Sequence, residues 1–312
     1  MVLNQIRCKY VGKNSVSCSH LVENTTGFCF WHDVNAAKNT PDIKARLEEM
    51  VREGHSLEGF ALHNAQLSGA NLARANLTGA RLFQADLSHS SLFKANLENA
   101  NLNAANLKNA NLLGIRLENA RLEHTGWGQY LFQEKLAHDA QKAGKKLDAK
   151  RLYAEAEEVA RYLTNESEKR RHCDIGGRFY CLERVMRRMQ MRRFSGEWLW
   201  SKLVDMLCGY GENAARVIGF SLSVIIVSAM FYFFLGVYDG NGMLIFNAQN
   251  GIEKNLFCLL ECLYFSVITF TTTGYGDISP VGFSRLVATI EAFVGAFSIS
   301  LFVVVFMRKM MQ

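Results

Sequence analysis

Cys8, Cys18, Cys29 and His32 fall within one short polar stretch at the start of the chain. Three thiolates and one imidazole complete a tetrahedral Zn2+ shell, and Cys29-Phe30-Trp31-His32 has the short ligand spacing that such sites use. His20 is an alternative imidazole, and the gap from Cys8 to Cys18 is longer than usual. Four protein ligands leave no open position, so zinc is the expected cofactor and its role structural. Three unrelated cysteines in a loop, or a redox-sensing thiol, are the alternative readings. A disulfide is not expected in a reducing cytosol. Cys181, Cys208, Cys258 and Cys262 lack the base and orienting acid that a nucleophile requires. With no phosphate-cradling loop, triad or paired carboxylates in the soluble part, enzymatic activity is not expected.

A second group is the turn Thr271-Thr272-Thr273-Gly274-Tyr275-Gly276-Asp277, whose chemistry depends on the elements that hold it. Mean hydropathy is −0.01 because polar and apolar stretches occupy different parts of the chain. Gly219 to Val237 is an uncharged run about the length needed to cross a ~30 Å hydrocarbon core. A second span, Leu286 to Met307, is broken only by Glu291. Arg216 precedes the first span and Arg308 and Lys309 follow the second, so both termini are expected in the cytoplasm. Met1 to Thr40 has no cleavable leader, which agrees. Between the spans, Asn255 to Thr271 is apolar apart from Glu261 but too short to cross, which predicts a re-entrant helix. Irregular backbone at that depth survives only where protein buries it or where it lines an aqueous path. Glu291, costly in a membrane unless paired, is expected to face protein near this helix in a structural hydrogen bond. Gly295 is expected to serve either as a gating hinge or as a site of close helix packing.

So placed, the turn resembles the selectivity filter of potassium channels. The resemblance implies that the carbonyls of Thr272, Thr273, Gly274 and Tyr275, with the Thr272 hydroxyl, coordinate K+, the permeant ion. Gly276 would complete the outer mouth, and Asp277, Tyr264 and Phe265 would support the filter from behind. One chain supplies one strand, so a homotetramer is implied. Glycine permits the backbone angles that let alternate carbonyls point inward. Two residues depart from the usual pattern. Thr273 stands where valine is common, adding a hydroxyl that faces away from the ions, and Ile268 stands where some relatives carry an acid that bonds the filter aspartate. A non-selective cation channel is the nearer alternative, although such a relative would be expected to lose the tyrosine.

From Leu57 to Leu122 every fifth residue is leucine, usually preceded two places earlier by alanine, as in ANLTGARL and ANLENANL. A period of five fits neither a helix nor a flat strand. It resembles the pentapeptide-repeat family, which implies a right-handed quadrilateral β-helix of about three and a half coils, about 17 Å tall, needing a cap at each end. Some members of that family imitate DNA, which requires a dominant acidic face. Here Glu58, Asp86, Glu98, Glu118 and Glu123 are matched by Arg74, Arg81, Lys94, Lys108, Arg116 and Arg121, so a scaffold or partner-binding surface is expected instead.

Apolar residues at helical spacing from Gln129 to Asn165, Arg178 to Arg193 and Glu197 to Tyr210 predict two pairs of amphipathic helices. The last carries Trp198, Trp200, Leu203, Leu207 and Tyr210 on one side, suited to lying along headgroups. Much of the net charge of +6 lies in Lys169 to Arg193, where anionic lipid is a better partner than nucleic acid. The expected organisation is multidomain: a Cys/His-rich zinc-binding segment (1–45), the β-helix (55–125), an α-helical connector (126–212) and an all-α two-span pore with re-entrant helix (213–312). The protein is expected in a plasma or bacterial inner membrane. A cytosolic ligand or protein at the repeats would gate or scaffold the pore through the connector. A membrane-anchored scaffold without current is the remaining alternative.

Overall fold

The computed structural model describes residues 7–12, 17–22, 25–169, 173–240, 242–249 and 251–310, with the side chains of 173–174 and 308–309 left out. Arg308 and Lys309, expected to mark the end of the second span, therefore lie outside the described side chains. Contacts divide the chain into two units, Met1–Met191 and Arg192–Gln312.

In the first unit the repeats coil upon themselves. Parallel bridges join each residue to the one twenty further on, as in Ala61 to Arg81, Arg81 to Asn101 and Asn101 to Arg121. Four pentapeptides therefore make one coil. Each leucine from Leu57 to Leu122 is buried, and so is the residue two places before it from Phe60 to Ala120. The small residue leaves room for the leucine stack in the narrow interior.

Each corner is a tight turn, in which the amide three residues after the leucine donates to its carbonyl, as from Ala70 to Leu67 at 3.0 Å. The third residue of such a turn has positive φ, and Asn64, Arg74, Gln84, Asn99 and Asn119 all do, between 55° and 63°. Asparagine and glycine recur at this corner because they tolerate the left-handed region best. The asparagine before many leucines closes the other side: the Asn101 side chain accepts from the Asn103 amide at 3.1 Å, and Asn106 accepts from Lys108 at 3.2 Å. Truncating a central leucine is a direct test of this core. Leu87→Ala is expected to destabilise the unit by about 2–5 kcal/mol, read as a lower unfolding midpoint in urea. Exposed Gln84→Ala should do far less.

Helices close both ends of the coil stack. At the start, α1 (Asp42–Arg52) lays Ile43 and Leu47 on the first coil. At the far end stand α2 (Phe132–Lys142), α3 (Lys146–Lys169) and α4 (Cys173–Gln190). Trp127 meets Phe179 edge-on at 5.4 Å, and the Tyr162 hydroxyl accepts from the Leu117 amide at 2.7 Å. The expected connector is thus divided. Its first three helices pack with the repeats, whereas α5 (Gly196–Cys208) packs Cys208 with Val217 and Val305 in the second unit.

That unit continues with α6 (Ala214–Leu235), β1 (Val237–Tyr238), β2 (Met243–Leu244), α7 (Ile252–Phe270), β3 (Ser279–Pro280) and α8 (Ser284–Met310). Ala214–Leu235 and Ser284–Met307 are long and apolar enough to cross a membrane. The three short strands form an antiparallel sheet in the order β2-β1-β3, which ties the residues after α6 to those just beyond the turn at 271–277.

Candidate ion pathway and candidate metal centre

Helix α7 ends at Phe270, and the chain leaves it through the threonine run. Thr272, Gly274 and Gly276 have φ of 55°, 54° and 80°, whereas Thr273 and Tyr275 are absent from the positive-φ residues. An alternation of positive and negative φ is the pattern that lets successive carbonyls face one side of a strand. Positive φ is cheap for glycine but strained for a β-branched residue, so Thr272 stores strain at this point. The strain is held by the helix end: the Thr272 amide donates to Thr269 at 3.0 Å and the Thr273 amide to Ile268 at 2.9 Å. All residues from Thr271 to Asp277 are exposed in the single chain, Tyr275 by 71%.

The back of the turn is braced by side chains. The Tyr264 hydroxyl donates to Asp277 Oδ2 at 2.8 Å, and Asp277 Oδ1 accepts from the Ile278 amide at 3.0 Å. The Thr273 hydroxyl, the group added relative to the commoner valine, lies 2.8 Å from that of Thr271, which donates to the Val267 carbonyl at 2.8 Å. Phe265 lies elsewhere. It is buried and meets Tyr232 of α6 at a ring distance of 4.8 Å, so it supports the fold between α6 and α7 and does not meet Asp277 as Tyr264 does.

Two residues of α8 meet α7 on successive turns. Glu291 is buried, accepts from the Tyr232 hydroxyl at 2.5 Å and is hydrogen-bonded to Ser266, whose hydroxyl also lies 2.8 Å from the Ile225 carbonyl. A Cβ added at Gly295 would stand 2.0 Å from the Phe270 carbonyl oxygen. Glu291 and Gly295 are four residues apart, as are Ser266 and Phe270, so one face of α8 runs along one face of α7. Nothing in the sequence singled out Ser266 or Tyr232; a hydroxyl at helical spacing opposite an intramembrane acid is the signal that could have.

In the first unit, Cys8, Cys18, Cys29 and His32 bring one ligand atom each to within 4.8 Å of one another. Cys18 Sγ is 3.8 Å from Cys29 Sγ, and His32 Nδ1 is 3.6 Å from Cys8 Sγ and 3.2 Å from Cys29 Sγ. Zinc–sulfur bonds of ~2.3 Å and a zinc–nitrogen bond of ~2.0 Å at tetrahedral angles put the ligand atoms about 3.8 Å (S to S) and about 3.5 Å (S to N) apart, so the group could hold such an ion. No disulfide joins the described cysteines here. Burial pushes the Cys29 thiol up to about 12 and lowers His32. His32 Nε2 lies 3.0 Å from the Glu58 carbonyl. Donation there leaves Nδ1 as the free lone pair, the usual arrangement of a metal-bound imidazole. His20 approaches from outside, with Nδ1 3.3 Å from Cys18 Sγ, and does not belong to the four.

Residues 220–312 match the family model described as "Ion channel", and residues 61–99 and 85–123 match "Pentapeptide repeats" in eight copies. Neither family is a family of enzymes. Protein LctB of Bacillus caldotenax is 40% identical over 76 residues, which are 24% of this chain and 54% of that protein. The chain thus spans about half the length of the curated relative it matches. A crystal structure of a pentapeptide repeat protein (Rfr23) from the cyanobacterium Cyanothece 51142 is 38% identical over 23% of this chain and 54% of that one, with a TM-score of 0.18.

Proposed function

We propose, from the premise that this chain joins pentapeptide repeats to an ion-channel domain, that it is a potassium-selective channel assembled from four copies about one axis. K+ passes through stacked rings of carbonyl oxygens from Thr272, Thr273, Gly274 and Tyr275, with the Thr272 hydroxyl below and Gly276 at the mouth. The observation that carries this reading is the backbone alternation at 272, 274 and 276. It turns one edge of the strand into a row of oxygens that replaces a hydration shell only when copies face each other. Full exposure of Thr271 to Asp277 in the single chain supports the same conclusion.

The membrane holds α6 and α8, with both termini cytoplasmic in a plasma or bacterial inner membrane. Leu199, Trp200, Leu203 and Met206 are exposed on α5, after Arg192 and Arg193, which suits an interfacial helix over anionic lipid. The repeats form a right-handed four-sided β-helix that binds a cytosolic ligand or protein and gates or scaffolds the pore; nucleic acid is not a partner. A structural zinc ion occupies the Cys8, Cys18, Cys29 and His32 group.

Purified protein in planar bilayers tests the pore under bi-ionic K+ and Na+. The expected reversal potential favours K+, and equal passage of both ions would refute selectivity. Tyr264→Phe removes the hydroxyl that holds Asp277 and leaves the oxygen rows in place. Its expected phenotype is current that begins selective and then declines faster than wild type during sustained recording.

A further inference from the structure

Resting on the zinc reading above, we infer that this metal site is the N-terminal cap of the repeat coil, a latch whose task is to pair the open edge of the first turn. A stack of coils ends in unpaired backbone groups, which are a template for association with other chains unless covered. Within the coils, amides at every fifth position donate backwards, as from Arg81 to Phe60 and from Asp86 to Ala65. In the first coil there is no earlier turn to receive such bonds, and three substitutes occupy the edge. The Ala61 amide donates to the Trp31 carbonyl at 2.8 Å, the Asn71 amide donates to Glu48 Oε1 at 2.8 Å, and the Ser68 carbonyl accepts from Lys44 Nζ at 2.8 Å. The last two come from α1.

The first comes from the metal knot. Trp31 lies between Cys29 and His32, two of the four ligands, so ligation fixes the carbonyl that pairs with Ala61. Three further contacts join the knot to the same coil. His32 Nε2 reaches the Glu58 carbonyl. The Trp31 ring stacks on Phe60 at 5.2 Å and the His32 ring meets Phe60 edge-on at 5.2 Å, while within the knot Tyr10 stacks on His32 at 3.9 Å. Gly59 makes this seat possible, because a Cβ there would stand 2.2 Å from the Tyr10 ring. Apart from the hairpin bridges Arg7 to Leu21 and Val11 to Ser17, the described part of the knot has no regular element to hold Trp31 in register. The four ligand side chains supply that restraint.

The test uses the full-length protein under reducing conditions, with metal analysis and amide hydrogen exchange measured before and after a zinc chelator and again after zinc is restored. One zinc per chain is expected. On chelation the Ala61 amide should exchange about tenfold faster or more, while amides of inner coils such as Asn96 and Asn101 keep their protection, and restored zinc should reverse the change. Absence of bound metal would overturn the zinc reading and the latch together. Bound zinc whose removal leaves Ala61 protected would overturn the latch alone, and so would equal loss of protection in every coil. His32→Cys, which keeps four ligands but loses the bond to Glu58, provides a second arm. With zinc bound it should keep Ala61 protected and lose that protection on chelation, and protection that survives removal of its zinc would count against the latch.

Discussion

Gly295→Ala is expected to abolish potassium current in protein that still inserts and assembles. The added methyl would stand 2.0 Å from the Phe270 carbonyl oxygen, 2.8 Å from its carbonyl carbon and 3.0 Å from its Cα, all backbone atoms that no rotamer change can move aside. Packed interiors do not deform smoothly, so α8 and the last turn of α7 must part by about 1 Å. Phe270 is followed directly by Thr271, whose amide donates to Val267, and by the strained Thr272, whose amide donates to Thr269, both in that last turn. A shift there reaches the lowest rings of the pathway. Gly219→Ala, at a helical glycine of α6 with open space around it within the chain, is the control and should conduct as wild type. The two readings of Gly295 separate in proline: Gly295→Pro supplies a bend but not the space, and it should be as silent as alanine if packing is the role. Ion flux through reconstituted vesicles, with assembly checked by size, reads all three; wild-type flux through Gly295→Ala would end the packing argument.

The contact between α7 and α8 illustrates what the sequence could and could not disclose. Composition made Glu291 conspicuous, because an acid in an apolar run must find a partner, and the re-entrant helix was the nearest polar-backed element. The identity of the partners was hidden: serine and tyrosine in a span are unremarkable until two helices are placed side by side. Phe265 shows the opposite error. Tyr264 and Phe265 are neighbours in sequence, but successive residues of a helix point about 100° apart, so only one of them could stand behind Asp277. Tyr264 does, and Phe265 turns to Tyr232.

The repeats were the most legible part, since a five-residue period fixes which side chains go inward. Their left-handed corners were visible too, in the glycine and asparagine two residues after many leucines, although arginine, glutamine, lysine and histidine also occur there and blur the signal. Helix α1 was not legible because only Ile43 and Leu47 of its eleven residues are buried, too few to mark a period. The β1 to β3 sheet is built of two-residue strands, below any sequence signal. The division of the connector near residue 191 depends on which neighbours each amphipathic face meets, and that is a property of the folded chain.

Glu291 carries the second large effect, and the hydrogen count around it decides which substitutions survive. Tyr232 donates its only hydroxyl proton to one carboxyl oxygen. The Ser266 hydroxyl lies within reach of both the other carboxyl oxygen and the Ile225 carbonyl, and it has one proton to give. If Ser266 donates to Ile225, a carboxyl proton on Glu291 directed at Ser266 completes that link, and Ser228 of α6 is a third hydroxyl bonded to the carboxyl group. Glutamine keeps these contacts, accepting from Tyr232 through its oxygen and donating one amide hydrogen to Ser266, with the Ser228 hydroxyl at hand for the other. Glu291→Gln is therefore expected to assemble and conduct close to wild type. Glu291→Leu keeps the volume but strands the Tyr232 hydroxyl and removes a partner of Ser266 and of Ser228, at a cost of about 1–3 kcal/mol for each buried group left unsatisfied. The expected result is assembled channel that unfolds at a lower temperature and passes little current, because the same link positions α7 beneath the threonine run. Tyr232→Phe combined with Glu291→Leu should recover part of the lost stability, since removing both partners relieves the unpaired hydroxyl. A double variant no more stable than Glu291→Leu alone would mean that the Tyr232 bond carries no stability and that the acid is held by something else.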